Sequence, residues 1–167
     1  MEHRHRLTFE THEEGKLKFE EYLVRVIFDE KIPFMRAHFR LFMLAQSKPH
    51  PAMVELVARL KALNGLKIAV VSNESRELNK CRICEFKLDR FTDSFISSCY
   101  VHVRKPDVDI FRLALDVAHV SPQHVLYIED TPMFVQIAEG LGIRSILHTD
   151  FKSTDANLVS LGLGVKG

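Results

Sequence analysis

The spacing of apolar positions changes once along the chain. Over roughly the first 48 residues they recur mostly at three- and four-residue steps, and Leu17, Phe19, Tyr22, Leu23, Val26 and Ile27 form one stripe, as on an amphipathic helix. A second helix is expected from about Pro33 to Gln46, with Phe34, Ala37, Leu41 and Leu44 on one side. His38 falls on that side and reads as a helix-face histidine with no ligand role. Ser47-Lys48-Pro49-His50-Pro51 then breaks the pattern, because two prolines so close together are hard to hold in a helix. Pro51 suits the first position of a helix over Ala52–Leu63, and Asn64-Gly65 suits its end.

From Leu66 onward short apolar runs alternate with amphipathic stretches. Ile68-Ala69-Val70-Val71 is wholly apolar and ends in Ser72-Asn73, as a buried parallel strand does. Glu74–Phe86 reads as helix, Asp93–Ser98 as a weaker strand, and Asp107 as the cap of a helix reaching about His119. Val125–Ile128 is a third strand. Thr131 is expected to cap a helix with Pro132 at its first position, closed by Gly140 and Gly142. Ser145–His148 is a fourth strand and Asp155–Leu161 a last helix. The alternation predicts an α/β fold, a doubly wound parallel sheet with helices on both faces.

In such a sheet ligands sit beyond the carboxyl ends of the strands. Ser72-Asn73 and Glu129-Asp130 both follow strands directly, and Lys105 stands just before the Asp107 helix. Ser72 and Asn73 can hold a phosphate together with the amide groups that open the next helix. Lys105 offers a compact positive charge, and Glu129 and Asp130 are hard oxygen ligands that suit Mg²⁺. Taken singly, each has a plainer reading as a turn serine, a solvated lysine or a charged helix start. Their order and placement together point to phosphoryl chemistry.

Charge adds little. There are 23 Lys plus Arg against 22 Asp plus Glu, a net charge of +1, so neither nucleic acid nor membrane is expected as a partner. Arg4 and Arg6 alternate with His3 and His5 and form no basic stripe. The first fifteen residues are charged throughout, and no run approaches the roughly 18 apolar residues of a membrane span. Three cysteines, Cys81, Cys84 and Cys99, are an odd count that fits a reduced, cytoplasmic setting. Cys81 and Cys84 have CxxC spacing, but they fall mid-helix with no second pair, against a zinc or redox site.

These motifs resemble those of the haloacid dehalogenase-like hydrolase superfamily. Its second motif is matched by Val70-Val71-Ser72 with Asn73, its third by Lys105-Pro106-Asp107 with Phe111, and its fourth by Glu129 and Asp130 with Ala138 and Gly140 downstream. The match is strong over about residues 50–150. The resemblance implies a core over 51–167 and a partial helical cap over 1–50. It further implies a Mg²⁺-dependent phosphatase acting on a small phosphorylated substrate through an aspartyl-phosphate. Asp130 and Glu129 would hold the metal, and Ser72 and Lys105 would hold the transferring group. The family's first motif, a strand ending in the nucleophilic aspartate and lying between the strands of Ser72 and Asp130, has no match. Val26-Ile27-Phe28-Asp29 looks similar but lacks the turn glycine and the second aspartate, so Asp29 reads as a helix-end or loop acid. Truncation explains this best, with a non-catalytic relative or binding module as the alternative. A haloacid dehalogenase is a lesser one, since two adjacent acids without a cation repel each other.

Overall fold

A computed structural model of the chain describes residues 2–27 and 35–164. The first helix, α1 (Glu2–Glu13), ends where Gly15 adopts φ +67°, a left-handed conformation that glycine reaches without steric cost. The N–H groups of Lys16 and Leu17 then turn back onto the Thr11 carbonyl at 3.0 and 3.2 Å, and the chain enters α2 (Phe19–Val26). The apolar spacing gave no sign of this turn. Leu17, Phe19, Tyr22, Leu23 and Val26 nevertheless bury together as the spacing implied. α3 (Arg36–Ala45) meets them through Phe39 and Met43, whereas Leu41, on the side expected to be covered, is 65% exposed. The helix is apolar on both sides, so pattern alone does not choose the packed one. Asp29 and Phe34 lie outside the described residues.

The remaining elements alternate. α4 (Pro51–Asn64) carries Pro51 in its first turn and closes on Gly65. β1 (Ala69–Ser72), α5 (Arg76–Glu85), β2 (Ser94–Ser97) and the single turn α6 (Ser98–Val101) follow. Next come α7 (Val108–Ala118), β3 (Leu126–Glu129), α8 (Pro132–Gly140), β4 (Arg144–Leu147) and α9 (Phe151–Ser160). α9 starts four residues before the expected Asp155, because the Asp150 side chain accepts from the Ser153 N–H and caps it. Asp107 caps α7 as expected, accepting from the Asp109 N–H at 2.9 Å.

β1 pairs with β2 in parallel, Ser72 opposite Ser97, and β3 pairs with β4 in parallel, Glu129 opposite Leu147. β1 and β3, the strands expected to flank the unmatched first strand, share no ladder among the described residues, and the sheet is two parallel pairs. Helices bridge them instead. On one face Ile110 and Phe111 of α7 are buried with Ile96 and Ala138, and Val71 and Tyr127 pack at the margin. The Phe111 ring meets Tyr127 edge-on, centroids 5.5 Å apart. On the other face Leu56 and Leu60 of α4 are buried with Ile146 and Leu158, against Leu126 and Ile128. Successive β3 residues thus enter opposite clusters, as the two-residue period of a strand requires. No helix among the described residues is long and apolar enough to cross a membrane.

A β-carbon at Gly15 would collide with the carbonyl oxygen of Cys99. Gly15→Ala should cost about 1–3 kcal/mol in urea denaturation. Gly65→Ala, at a similar φ but with nothing within 4 Å, should cost about 1 kcal/mol or less.

His12 is buried, stacked on the Tyr22 ring at 4.3 Å, and its Nδ1 donates to the Leu17 carbonyl at 2.9 Å. Burial holds its pKa below the ordinary 6.5. The unfolded chain therefore takes up this proton first as pH falls. The histidine's contribution should be complete above about pH 6.5 and decline below it, through the lower folded value. In Tm measured from pH 7.5 to 5, His12→Gln should flatten the slope relative to the parent.

Candidate active site

The centre of the candidate site is Lys105, 7% exposed. The helix cap at Asp107 fixes the direction of the chain two residues beyond it. Asn73, just past the end of β1, fixes its backbone by a two-way bridge: Nδ2 donates to the Lys105 carbonyl at 2.7 Å, and the Lys105 N–H donates to Oδ1 at 2.8 Å. The side chain then reaches across to the end of β3. Its Nζ donates to Glu129 Oε2 at 2.5 Å and to the Tyr127 hydroxyl at 3.2 Å, and lies 4.8 Å from the centre of the Phe134 ring. A buried ammonium is costly unless paired. Here a carboxylate, a phenol oxygen and a π-face share the task.

Glu129 is equally occupied. Oε2 also accepts from the Tyr127 hydroxyl at 2.5 Å, and Oε1 accepts from the N–H groups of Asp130 and Thr131, both at 3.1 Å. Burial pushes its carboxyl up, but the hydrogen bonds from Lys105 and Tyr127 outweigh that and hold it well below the usual range. Burial, and then the Glu129 carboxylate, drive the Tyr127 phenol far upward. The Thr131 side chain makes no capping bond; the Glu129 carboxylate takes the Thr131 N–H instead.

Asp130 is exposed, and its Oδ1 lies 3.4 Å from Thr131 Oγ1. Ser72 ends β1, its Oγ 3.2 Å from Ser97 Oγ across the ladder. Beneath this pair Asn79, 3% exposed, donates to Ser97 Oγ at 2.8 Å and to Glu74 Oε2 at 3.2 Å. Arg82 Nη1 completes the chain, 2.8 Å from Glu74 Oε1. At the rim Arg104 pairs with Glu10 and Glu13 of α1 at 2.8 and 2.9 Å. Burial pushes the Glu13 carboxyl up, and Arg104 opposes it.

All five residues singled out from the sequence thus lie at or just beyond strand ends or beside a helix cap, and Asn73, Lys105 and Glu129 are linked directly. Their tasks differ in part from those expected. The Asn73 amide is spent on the Lys105 backbone. The four hydrogen bonds to Glu129 leave Asp130 as the open carboxylate of the pair. Tyr127, Phe134, Ser97 and Asn79 carried no signal beyond ordinary strand and helix residues. Cys81 and Cys84 sit within α5, and all three cysteines are free.

The profile of the haloacid dehalogenase-like hydrolases matches residues 3–142. A putative pyrophosphatase PpaX from Caldanaerobacter subterraneus subsp. tengcongensis is 33% identical over 55% of this chain and 41% of its own length. The (S)-2-haloacid dehalogenase 4A of Burkholderia cepacia is 32% identical over 58% and 42%. The phosphoglycolate phosphatase of Aquifex aeolicus is 24% identical over 71% and 55%. The chain thus spans about half the length of these curated relatives. Among solved structures, a HAD-like family hydrolase from Porphyromonas gingivalis superposes with TM-score 0.76 at 22% identity, over 92% of this chain and 77% of the other. A HAD family enzyme from Bacteroides thetaiotaomicron, in complex with magnesium and inorganic phosphate, superposes with TM-score 0.69 at 18% identity, over 83% and 73%.

Removing one member of a buried pair strands the other. Lys105 and Glu129 side chains are 8% and 9% exposed, so Lys105→Met should cost about 3–5 kcal/mol in urea denaturation. The double variant Lys105→Met with Glu129→Leu should recover part of that loss.

Proposed function

We propose that this chain, which belongs to the haloacid dehalogenase-like hydrolase family, holds the phosphoryl group of a small phosphorylated metabolite in a Mg²⁺-dependent phosphatase reaction. The observation that carries this reading is Lys105, a buried ammonium held at the strand ends by Asn73, Glu129 and Tyr127. A largely buried cation held at the strand ends is suited to offset charge that develops on phosphoryl oxygens. Glu129 and Tyr127 aim it, and Asn73 positions its backbone. Ser72 offers a hydroxyl donor from the end of the neighbouring strand. The relatives include a putative pyrophosphatase and a phosphoglycolate phosphatase beside a haloacid dehalogenase, and the adjacent acids Glu129 and Asp130 favour the phosphoryl reading, since hard oxygen ligands suit Mg²⁺.

For a divalent cation the donor set fits in part. Asp130 is exposed, with one weak contact from Thr131, whereas the hydrogen-bonding positions of Glu129 are taken. Among the described residues no three His, Cys, Asp or Glu side chains are grouped so that they could hold a metal ion. Mg²⁺ keeps several waters and is bound through one or two carboxylates plus substrate oxygens, so Asp130 would hold it while Glu129 orients Lys105. When bound, Mg²⁺ supplies charge neutralisation at the phosphoryl oxygens. The solved relative crystallised with magnesium and inorganic phosphate supports this choice.

Hydrolysis also needs an aspartate to attack phosphorus, displace the alcohol and release phosphate when water cleaves the acyl phosphate. In this reading none of the described residues supplies it. A strand seated between β1 and β3 would carry it, and residues 1–50 would form part of the cap over the core of 51–167.

Inorganic phosphate with Mg²⁺ should bind the 167-residue chain in a ³¹P NMR titration, and Asp130→Asn should weaken it about tenfold or more. The same chain should not turn over p-nitrophenyl phosphate. Mg²⁺-dependent turnover lost on Asp29→Asn would overturn the exclusion of Asp29.

A further inference from the structure

A serine that holds a phosphoryl oxygen must point its proton at that oxygen, yet a free hydroxyl rotates. Ser72 Oγ has one hydrogen-bonding neighbour among the described residues, Ser97 Oγ at 3.2 Å. Between two hydroxyls either can donate, so the distance alone leaves the direction open. If Ser72 donates to Ser97, its proton faces the interior and only a lone pair is left for the crevice. If Ser97 donates, the Ser72 proton is free to leave toward the ligand.

The groups behind Ser97 decide between these. Glu74 is paired with the Arg82 guanidinium at 2.8 Å, and a carboxylate so paired only accepts. Asn79 lies against it, and its amide could face Glu74 with either end. An oxygen there would meet another acceptor, so the NH₂ end is required, and it contacts Glu74 Oε2 at 3.2 Å. That same nitrogen spends its second proton on Ser97 Oγ at 2.8 Å. Ser97 is fully buried and accepts from Asn79, so its own proton must find an acceptor or remain unpaired at a cost. Ser72 Oγ is the acceptor within reach.

We infer that Asn79 and Ser97 are positioning residues that orient the Ser72 hydroxyl as a donor into the crevice, in a relay anchored by Arg82 and Glu74. The inference rests on Ser72 as a phosphoryl-binding group. Asn79 is 3% exposed, stands seven residues from Ser72 in sequence and acts only through Ser97.

Asn79→Asp tests the direction with almost no change of shape. Ionised, the introduced carboxylate accepts from Ser97. Protonated, it gives its proton to Glu74 and still accepts from Ser97. In both states Ser97 donates backward, Ser72 donates to Ser97, and the proton meant for the ligand is withdrawn. Affinity for inorganic phosphate in the presence of Mg²⁺ is read by ³¹P NMR for the parent, Ser72→Ala, Asn79→Asp, Ser97→Ala and the double variant Ser72→Ala with Asn79→Asp. Folding is checked by ¹H–¹⁵N spectra. The expected result is at least about fivefold weaker binding for Ser72→Ala and Asn79→Asp, at most about threefold for Ser97→Ala, which frees the Ser72 hydroxyl without withdrawing its proton, and a double variant no weaker than Ser72→Ala alone. Should Asn79→Asp fail to fold, Ser97→Ala decides alone, and a loss as large as that of Ser72→Ala overturns the relay.

Losses that add in the double variant would mean that Asn79 acts by general disruption, and they overturn the relay. Normal affinity in Asn79→Asp beside a weakened Ser72→Ala overturns the relay and leaves the phosphoryl role of Ser72 standing. Normal affinity in Ser72→Ala, or no phosphate binding by the parent, removes that role and the relay with it.

Discussion

A lysine at 7% exposure cannot be left without anionic company, and that requirement organises much of this molecule. Lys105 is tied through its backbone to Asn73 at the end of β1 and through its side chain to Glu129 at the end of β3. The two strand pairs share no ladder among the described residues, so this bridge does at the strand ends what hydrogen-bonded neighbours do elsewhere in a sheet. The hydrophobic clusters supply most of the attraction between the pairs, at roughly 25 cal/mol for each Å² of apolar surface removed from water. They are indifferent to small slides, however, and a buried ion pair with four defined hydrogen bonds on its carboxylate is not. Packing brings β1 and β3 onto the same helices, and the Lys105–Glu129 pair sets how their ends align.

The other buried polar groups extend the same logic. Ser97, Ser98 and Asn79 near β1, and Thr154 of α9 beside β4, are all buried. Each has partners: Ser98 Oγ accepts from the Glu74 N–H and donates to the Glu13 carbonyl at 3.0 and 2.7 Å, and Thr154 Oγ1 meets His148 Nδ1 at 2.7 Å. Buried polar groups specify position because the unpaired state costs more than the paired state gains. Arg82 reaches both Glu74 and Ser47 Oγ, the latter at 3.1 Å in the segment joining α3 to α4. The network beneath Ser72 therefore touches the chain connection between the helical stretch and the strands.

How much of this could be read from the sequence follows from the range of each interaction. Local signals worked: the apolar run into Ser72, Asp107 as a cap, Pro51 in the first turn of α4. The placement of Ser72, Asn73, Lys105, Glu129 and Asp130 at strand and helix ends was legible for the same reason. Their division of labour was not, since the Lys105 bonds join partners 22 to 32 positions apart, and the local bonds on Glu129 depend on how its carboxylate turns once Lys105 is in place. Nothing within the motif says that Asn73 bridges to the Lys105 backbone, or that Glu129 is saturated while its neighbour Asp130 is open. Tyr127 looked like one more strand residue because its hydroxyl matters only once Lys105 has folded against it. The turn at Gly15 was equally silent, since the apolar stripe resumes immediately afterward at Leu17.

Gly15 also shows how the first helices are bound to the site. Its missing β-carbon lets the end of α1 lie against the Cys99 carbonyl, and that approach brings three further contacts into range. Ser98 reaches the Glu13 carbonyl, His102 Nδ1 reaches the Glu14 carbonyl at 2.7 Å, and Arg104 reaches the Glu13 carboxylate. All three partners lie on the segment that runs from the end of β2 to Lys105. A separation of α1 from this segment would strand Arg104, 17% exposed at its side chain, one residue from the lysine on which the site depends. The end of α1 and the backbone leading to Lys105 are therefore joined through one short stretch of chain, while Glu129 and Tyr127 aim the ammonium itself.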